Sequence, residues 1–345
     1  MRKRASIMRM RNCASITSAS DMTRVMLAAS LLTWEAARTV AAATVPPQRL
    51  AIYYGYPSLV EDARGDIARV AAIFGEYDVV VFGDGLDGAP DAATDAGLRA
   101  ERARLDSIVR AIHATPRHPR IYGYIDLGSS QNLTLADIER RIDGWQRVGA
   151  DGIFFDEAGS EFAVTPARRR AAVRAVHMRR LSAFMNAFVT DDLFQGDDGA
   201  DADAAGRLGS DDAVLIESFA VKNGEGEATS RIAVRATAAL KWRERSGVKV
   251  FAVTTPARQG FDGGLFAYAW WNAAVWGLDG IGWGEPDFSA NSRMPWRSRP
   301  HEELTLAGLR LTAPPVMTAA GIRRSTSAGT IVIDGTARRG WIEVR

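Results

Sequence analysis

Residues 77–88 read YDVVVFGDGLDG, and the fold turns on what this apolar run leads into. Gly83, Gly85 and Gly88 carry the spacing of the G-x-G-x-x-G dinucleotide fingerprint. That fingerprint works only when the glycine turn opens directly into a helix inside the first βαβ unit, so that free helical N–H groups meet a pyrophosphate. Here Asp84 and Asp87 stand in the turn and would repel phosphate, and the turn-like APDAAT (89–94) holds the next helix back to Asp95. An earlier strand, RLAIYYGY (49–56), precedes it and is followed by no phosphate-type turn. The stretch therefore reads as a buried strand running into a glycine-rich loop.

Working outward, short apolar runs recur along the chain: 49–56, 77–83, RIYGYIDL (120–127), GIFFDE (152–157), AFMNAFV (183–189), AVLIESF (213–219), KVFAVTT (249–255) and GIGWGE (280–285). Helix-like stretches lie between them, at 95–113, 134–148, 166–180, 229–246 and 264–277. The second opens TLAD, a Thr N-cap with an Asp three residues on, and closes before Gly149. Eight strand–helix alternations over about 240 residues predict a (β/α)8 TIM barrel, whose usual size is roughly 250 residues. Past residue 303 the pattern changes to LRLTAPPV, GTIVIDG and GWIEVR, short strands of a small C-terminal β-like appendage. The expected organisation is an N-terminal extension (1–43), the barrel (44–300) and the appendage (301–345).

The chain has 345 residues and is 47% apolar, enough for a large core. Its net charge of +2 owes much to residues 1–43, which hold seven of the 43 basic and two of the 41 acidic residues, leaving 36 and 39. No basic footprint for nucleic acid remains. Residues 1–43 have the order of an export signal: a basic start, the run VMLAASLLTW, then small residues ending at Ala41–Ala43. A start at Met22 would make the signal more compact. The run is too short to span a bilayer, so the expected location is secreted or periplasmic. The only cysteine, Cys13, lies inside this segment, which excludes cysteine-ligated zinc and iron–sulfur clusters from the remaining chain.

In such a barrel the chemistry sits at the C-terminal ends of the strands. Those ends collect Asp156 and Glu157, Glu217, and Trp283 with Glu285, joined by Tyr53 and Tyr54, Asp84, Tyr124 and Asp126, and Asn186. The four histidines fall at none of them, which argues against histidine triads and two-histidine metal sites. Two facing carboxylates are the minimal apparatus of glycoside hydrolysis, and aromatic neighbours such as Phe154, Phe155 and Phe219 favour keeping one of them protonated. The competing ordinary reading pairs each acid with an arginine at the barrel rim.

The stretches LAIYYGYP, FGEYDVVVFGDGL, IYGYIDLG, DIERRIDGWQRVGADGIFFDEAG, FMNAF and LIESF, in order over residues 49–285, resemble the spherulin-4-like glycoside hydrolases, relatives of the endo-α-1,4-polygalactosaminidases. The most specific part is Gly144 to Glu157. The resemblance implies a (β/α)8 barrel that cleaves α-1,4-linked galactosamine or N-acetylgalactosamine polymers of a biofilm matrix. It places catalytic carboxylates on Asp156, Glu157 and Glu217, with Asp156 as nucleophile, Glu217 as acid/base and Glu157 orienting. Neighbouring residues on a strand point to opposite sides, so the order of roles stays open. The other strand-end residues would bind substrate, with no cofactor or metal, in a monomer. A second reading keeps the barrel as a non-catalytic carbohydrate-binding or matrix-associated protein, and a third uses the acids as magnesium ligands.

The loop TDDLFQGDDGADADAAGRLGSDD adds eight aspartates between Asp191 and Asp212 against one Arg207. Such a block is ordinarily a solvated loop. Placed on the catalytic face, it would instead concentrate a cationic amino-sugar polymer.

Overall fold

The computed structural model describes residues 44–344 apart from 84, 89–95, 198–203, 256–260, 290–305 and 307. The segment read as an export signal thus lies outside the described residues, as does Asp84. No helix of the described residues is long and apolar enough to cross a membrane.

Each of the eight apolar runs forms a parallel strand: β1 (Gln48–Tyr53), β2 (Val79–Phe82), β3 (Arg120–Asp126), β4 (Gly152–Asp156), β5 (Ser182–Asn186), β6 (Ala213–Ile216), β7 (Lys249–Val253) and β8 (Gly280–Gly282). They pair in sequence order, and β8 pairs back onto β1, closing a (β/α)8 barrel. Helices α1 (Ile67–Phe74), α2 (Ala96–His113), α3 (Leu135–Arg147), α4 (Pro166–Met178), α5 (Thr229–Ser246) and α6 (Gly263–Trp276) lie between strands. The short α1 is the one that the sequence reading did not mark. After β5 the described residues form 3-10 turns, Thr190–Phe194 and Ala204–Gly206, where other units carry a helix. The capping box of α3 forms as its spacing predicts: Thr134 accepts from the Asp137 backbone at 3.1 Å, and Asp137 accepts from the Thr134 backbone at 3.0 Å.

Strand alternation sorts the apolar residues into two cores. Leu50, Ile52, Val79, Val81, Tyr122, Tyr124, Phe154, Phe184, Leu215, Phe251 and Val253 fill the barrel interior. Ala51, Tyr53, Val80, Phe82, Ile121, Ile153, Phe155 and Met185 face the helices. This parity fixes which strand-end residue looks into the barrel. Trp145 of α3 lies across Gly123 of β3, where a Cβ would stand 1.9 Å from the indole, and its Nε1 donates to the Tyr124 carbonyl at 3.1 Å.

The N-terminal end of the barrel is tied by four aspartates, each immediately before an even-numbered strand. Asp78 accepts from the Arg49 backbone at 2.7 Å, Asp151 from Ile121 at 2.7 Å, Asp212 from Ala183 at 2.7 Å and Asp279 from Val250 at 2.8 Å. Each donor is the second residue of the preceding strand. Each carboxylate also meets a cationic or ionisable partner: Arg117 at 3.4 Å, His113 at 3.0 Å, His177 at 3.0 Å and Arg243 at 3.4 Å. The strand-start amides, which would otherwise lack partners, are satisfied this way.

The C-terminal appendage is a four-stranded antiparallel sheet, β9 (Val316–Thr318), β10 (Gly321–Ser325), β11 (Gly329–Asp334) and β12 (Arg339–Val344), paired in that order. Here β10 is a strand that the sequence reading passed over, since GIRRS offers little apolar signal. The sheet packs on α6: Gly340 leaves no room for a Cβ beside Trp271, and Arg324 donates to the Val275 carbonyl at 2.8 Å.

Candidate active site

The parity that turns Phe154 into the barrel turns Asp156 inward as well, at the last position of β4. The same logic points Asn186 inward from the end of β5, and Glu217 follows directly after β6. These three side chains meet. The Nδ2 of Asn186 donates to Asp156 Oδ1 at 2.8 Å and to Glu217 Oε2 at 3.3 Å. Both acceptors belong to one nitrogen, so the two carboxylate oxygens are separated by no more than the sum of those lengths. Asp156 also accepts from the Glu157 backbone N–H at 3.0 Å and is hydrogen-bonded by the Tyr124 side chain. The Oδ1 of Asn186 is buried and has no hydrogen-bond partner among the described residues.

Burial raises the pKa of both carboxyls above the ordinary range, because a charge there loses its hydration. For Asp156 the Asn186 amide, the Glu157 N–H and Tyr124 oppose that rise. For Glu217 the charge on Asp156 adds to burial, while Asn186, Arg235 and Lys222 oppose it. The charge on Asp156 thus adds to the rise at Glu217, which couples the two carboxyls.

The remaining predicted residues divide. Tyr124 and Asp126 lie on β3 with inward parity, Asp126 directly opposite Asp156 in the ladder. Tyr54 packs its ring on Tyr124 at 5.1 Å and on Phe288 at 5.3 Å, beside the interior core. Glu285 is buried in the turn after β8. Glu157, by contrast, leaves the pair. Its backbone turns left-handed (φ 53°), and its carboxylate accepts from the Ser130 hydroxyl and from the Ser130 backbone at 3.2 Å. Gly128 makes the space for it, since a Cβ there would stand 2.6 Å from the Glu157 side chain. Tyr53 faces the helices, fully buried against Phe74, and Trp283 packs on Phe261 and on Phe266 of α6. Neither ring forms a platform at the pair.

The aspartates singled out in the glycine turn and in the acidic loop are also engaged. Asp87 is buried beside Arg141 at 3.5 Å. In the aspartate loop, Asp191 holds Lys241 and the Trp242 indole, Asp192 holds Ser160, Asp197 lies by Arg169, and Asp212 belongs to the opposite end of the barrel. Asp198, Asp201 and Asp203 lie outside the described residues. Among the described residues no group of three or more His, Cys, Asp or Glu side chains is arranged to hold a metal ion. The residue that sequence reasoning undervalued is Arg235, which donates to the Ser218 carbonyl at 2.8 Å and to that of Glu217. It sits on α5, 18 positions downstream, and carries no local signal.

No family model matches this sequence, and no curated protein matches it. Solved structures that are similar in fold include the HpcH/HpaI aldolase from Desulfitobacterium hafniense DCB-2 (11% identity, 69% of this chain and 85% of that one, TM-score 0.37). A proposed fructose-1,6-biphosphate aldolase from Coccidioides immitis shares 12% identity over 69% and 76% of the two chains, with a TM-score of 0.40. A proposed dihydrodipicolinate synthetase from Pseudomonas aeruginosa shares 14% over 72% of each, with a TM-score of 0.38. Two of these structures are described as aldolases and the third as a synthetase. The expectation of a polygalactosaminidase-like glycosidase is corrected to that of a (β/α)8 barrel whose neighbours in fold are described as aldolases and a synthetase, and it is not carried forward. Identities this low concern the barrel alone, so the chemistry is read from the residues.

Proposed function

We propose that this barrel is an enzyme of general acid–base type, in which Asp156 and Glu217 exchange a proton with a small polar substrate bound at the C-terminal ends of the strands. The observation that carries this reading is the single Asn186 amide donating to both carboxylates. An amide held this way keeps two buried acids side by side without the cation that would ionise both. One stays neutral and donates, while the other stays ionised and accepts. Asp156, with three hydrogen bonds to its charged form, is the base. Glu217, whose proton is favoured by the Asp156 charge, is the acid.

The substrate that suits this centre is small and carries a hydroxyl or amine that can donate to the ionised carboxylate. Tyr54, Tyr124 and Phe288 supply an apolar wall beside it. Nucleic acid is a poor fit, because inward-facing carboxylates repel phosphate. One chain supplies the whole pair, so a monomer suffices. The test is carboxyl 13C NMR titration of the full chain, together with a turnover screen of small hydroxylated compounds. Both carboxyls are expected to titrate above the ordinary carboxylate range, about 3.9 to 4.3, and any turnover should fall by at least about 10²-fold in Asp156→Asn. Ordinary titration of both groups would remove the neutral acid and with it the proposal.

A further inference from the structure

Glu217 stands at the start of a strained turn. Ser218 (φ 54°) and Ala220 (φ 60°) are both left-handed without being glycine, and such residues persist only where the surroundings hold them. The chain then makes a tight hairpin, Val221–Lys222 against Glu225–Gly226, and returns at Glu227, whose N–H donates to the Ala220 carbonyl at 2.8 Å. Holding groups converge on this turn from three sides. From β7, Phe219 N–H donates to the Val253 carbonyl at 2.9 Å, and the Thr255 hydroxyl donates to that of Ser218 at 2.8 Å. From α6, the Tyr268 hydroxyl donates to the Glu227 carbonyl at 3.0 Å. From α5 comes Arg235, whose guanidinium donates to the carbonyls of Glu217 and Ser218 and to the Glu227 carboxylate at 3.2 Å.

We propose that Arg235 is the positioning residue of Glu217: paired with buried Glu227, its guanidinium clamps the two carbonyls of the strained turn and so sets where the Glu217 carboxylate stands and which charge it faces. The inference rests on the acid–base reading of Glu217 given above. A guanidinium suits the task because its planar fork reaches two carbonyls and a carboxylate at once, which an ammonium cannot do with the same geometry. Glu227 is only 5% exposed, so the arginine's charge is largely spent on it. That balance lets a cation sit behind Glu217 without stripping its proton. The charged and polar groups facing Glu217 are Asp156 and Asn186 from β4 and β5, Arg235 from α5 and Lys222 from the hairpin. Arg231 stands on the far side of Glu227 at 4.0 Å.

The test is the Glu217 titration midpoint, read by carboxyl 13C NMR on the full chain. Arg235→Ala removes the cation and should raise the midpoint by about one unit, a tenfold gain in proton affinity. Arg235→Lys should bring it back toward wild type. Glu227→Gln, which keeps shape and removes the counter-charge, should move it the other way, downward. A folded Arg235→Ala and Glu227→Gln that both keep the wild-type midpoint, while losing only thermal stability, would overturn the proposal and leave Arg235 a scaffold residue. If Arg235→Ala does not fold, Glu227→Gln decides by itself: a downward move supports the clamp, and no move refutes it. Wild-type Glu217 titrating in the ordinary range would instead overturn the acid–base reading, and the differences between variants would still report on the clamp.

Discussion

The two ends of the barrel use the same residue type to opposite effect. At the N-terminal end, Asp78, Asp151, Asp212 and Asp279 each bind a backbone N–H and a cationic or ionisable side chain. At the C-terminal end, Asp156 and Glu217 share one neutral amide and face each other. The first arrangement sets a cationic or ionisable side chain against each carboxylate. The second offers hydrogen bonds from neutral groups, so burial dominates and the acids keep a high proton affinity. Position relative to strand direction therefore separates the structural acids from the pair proposed to react, in accord with the general division of such barrels into a stabilising and a catalytic face.

The largest effect expected from breaking this contrast is on turnover. Asp156→Asn or Glu217→Gln should lower the rate on any substrate the wild type converts by roughly 10²–10⁴-fold, the usual range for removing a general acid or base. The same variants sharpen the comparison through stability. A carboxyl whose folded pKa is raised stabilises the fold below its unfolded pKa, and that contribution is lost as pH rises through the folded pKa. At pH 8 both variants should thus melt above the wild type, with the gap closing near pH 4 in a Tm-against-pH series. At the opposite end the sign reverses: Asp212→Ala should cost about 3 kcal/mol in urea unfolding and leave the Glu217 titration unmoved.

A smaller effect is expected at His177. Its Nδ1 faces the Ala205 carbonyl at 2.8 Å and its Nε2 faces Asp212, so the doubly protonated ring is the form that fits. The hydrogen bond that its Nε2–H donates to Asp212 leads the causes that raise its pKa above 6.5. The charged contact stabilises fully below the unfolded pKa and is lost as pH rises through the raised one. His177→Gln should therefore cost roughly 1.5 kcal/mol at pH 5.5, and the difference from wild type should shrink in denaturation curves taken above the histidine range. Least is expected of Tyr53→Phe, which removes a 3.3 Å hydrogen bond to the Tyr56 carbonyl. A loss below about 1 kcal/mol with turnover unchanged fits its place among the helices, whereas a large drop in turnover would return it to the site.

Much of this was legible in the chain. The eight apolar runs are the eight strands, because strand length and spacing are local properties. Thr134 and Asp137 marked a helix start correctly, since a capping box is made within four residues. Asp156, Asn186 and Glu217 could be placed at strand ends by counting. The aspartates of the N-terminal ring were also in plain view, each just before an apolar run, but their shared role shows only once neighbouring strands are paired.

The sequence by itself thus determined the number of strands, their order and the residues that end them. Tertiary structure decided which side of a strand each of those residues faces. In a parallel barrel both faces of every strand are buried and apolar, so the alternation that would reveal parity in a half-exposed sheet is missing. That is why Tyr53 and Tyr54, or Asp156 and Glu157, look equivalent when read along the chain. It took the closed barrel to send Asp156 to Asn186, Glu157 to Ser130 and Arg235 to the carbonyl behind Glu217, contacts between residues that are 18 or more positions apart.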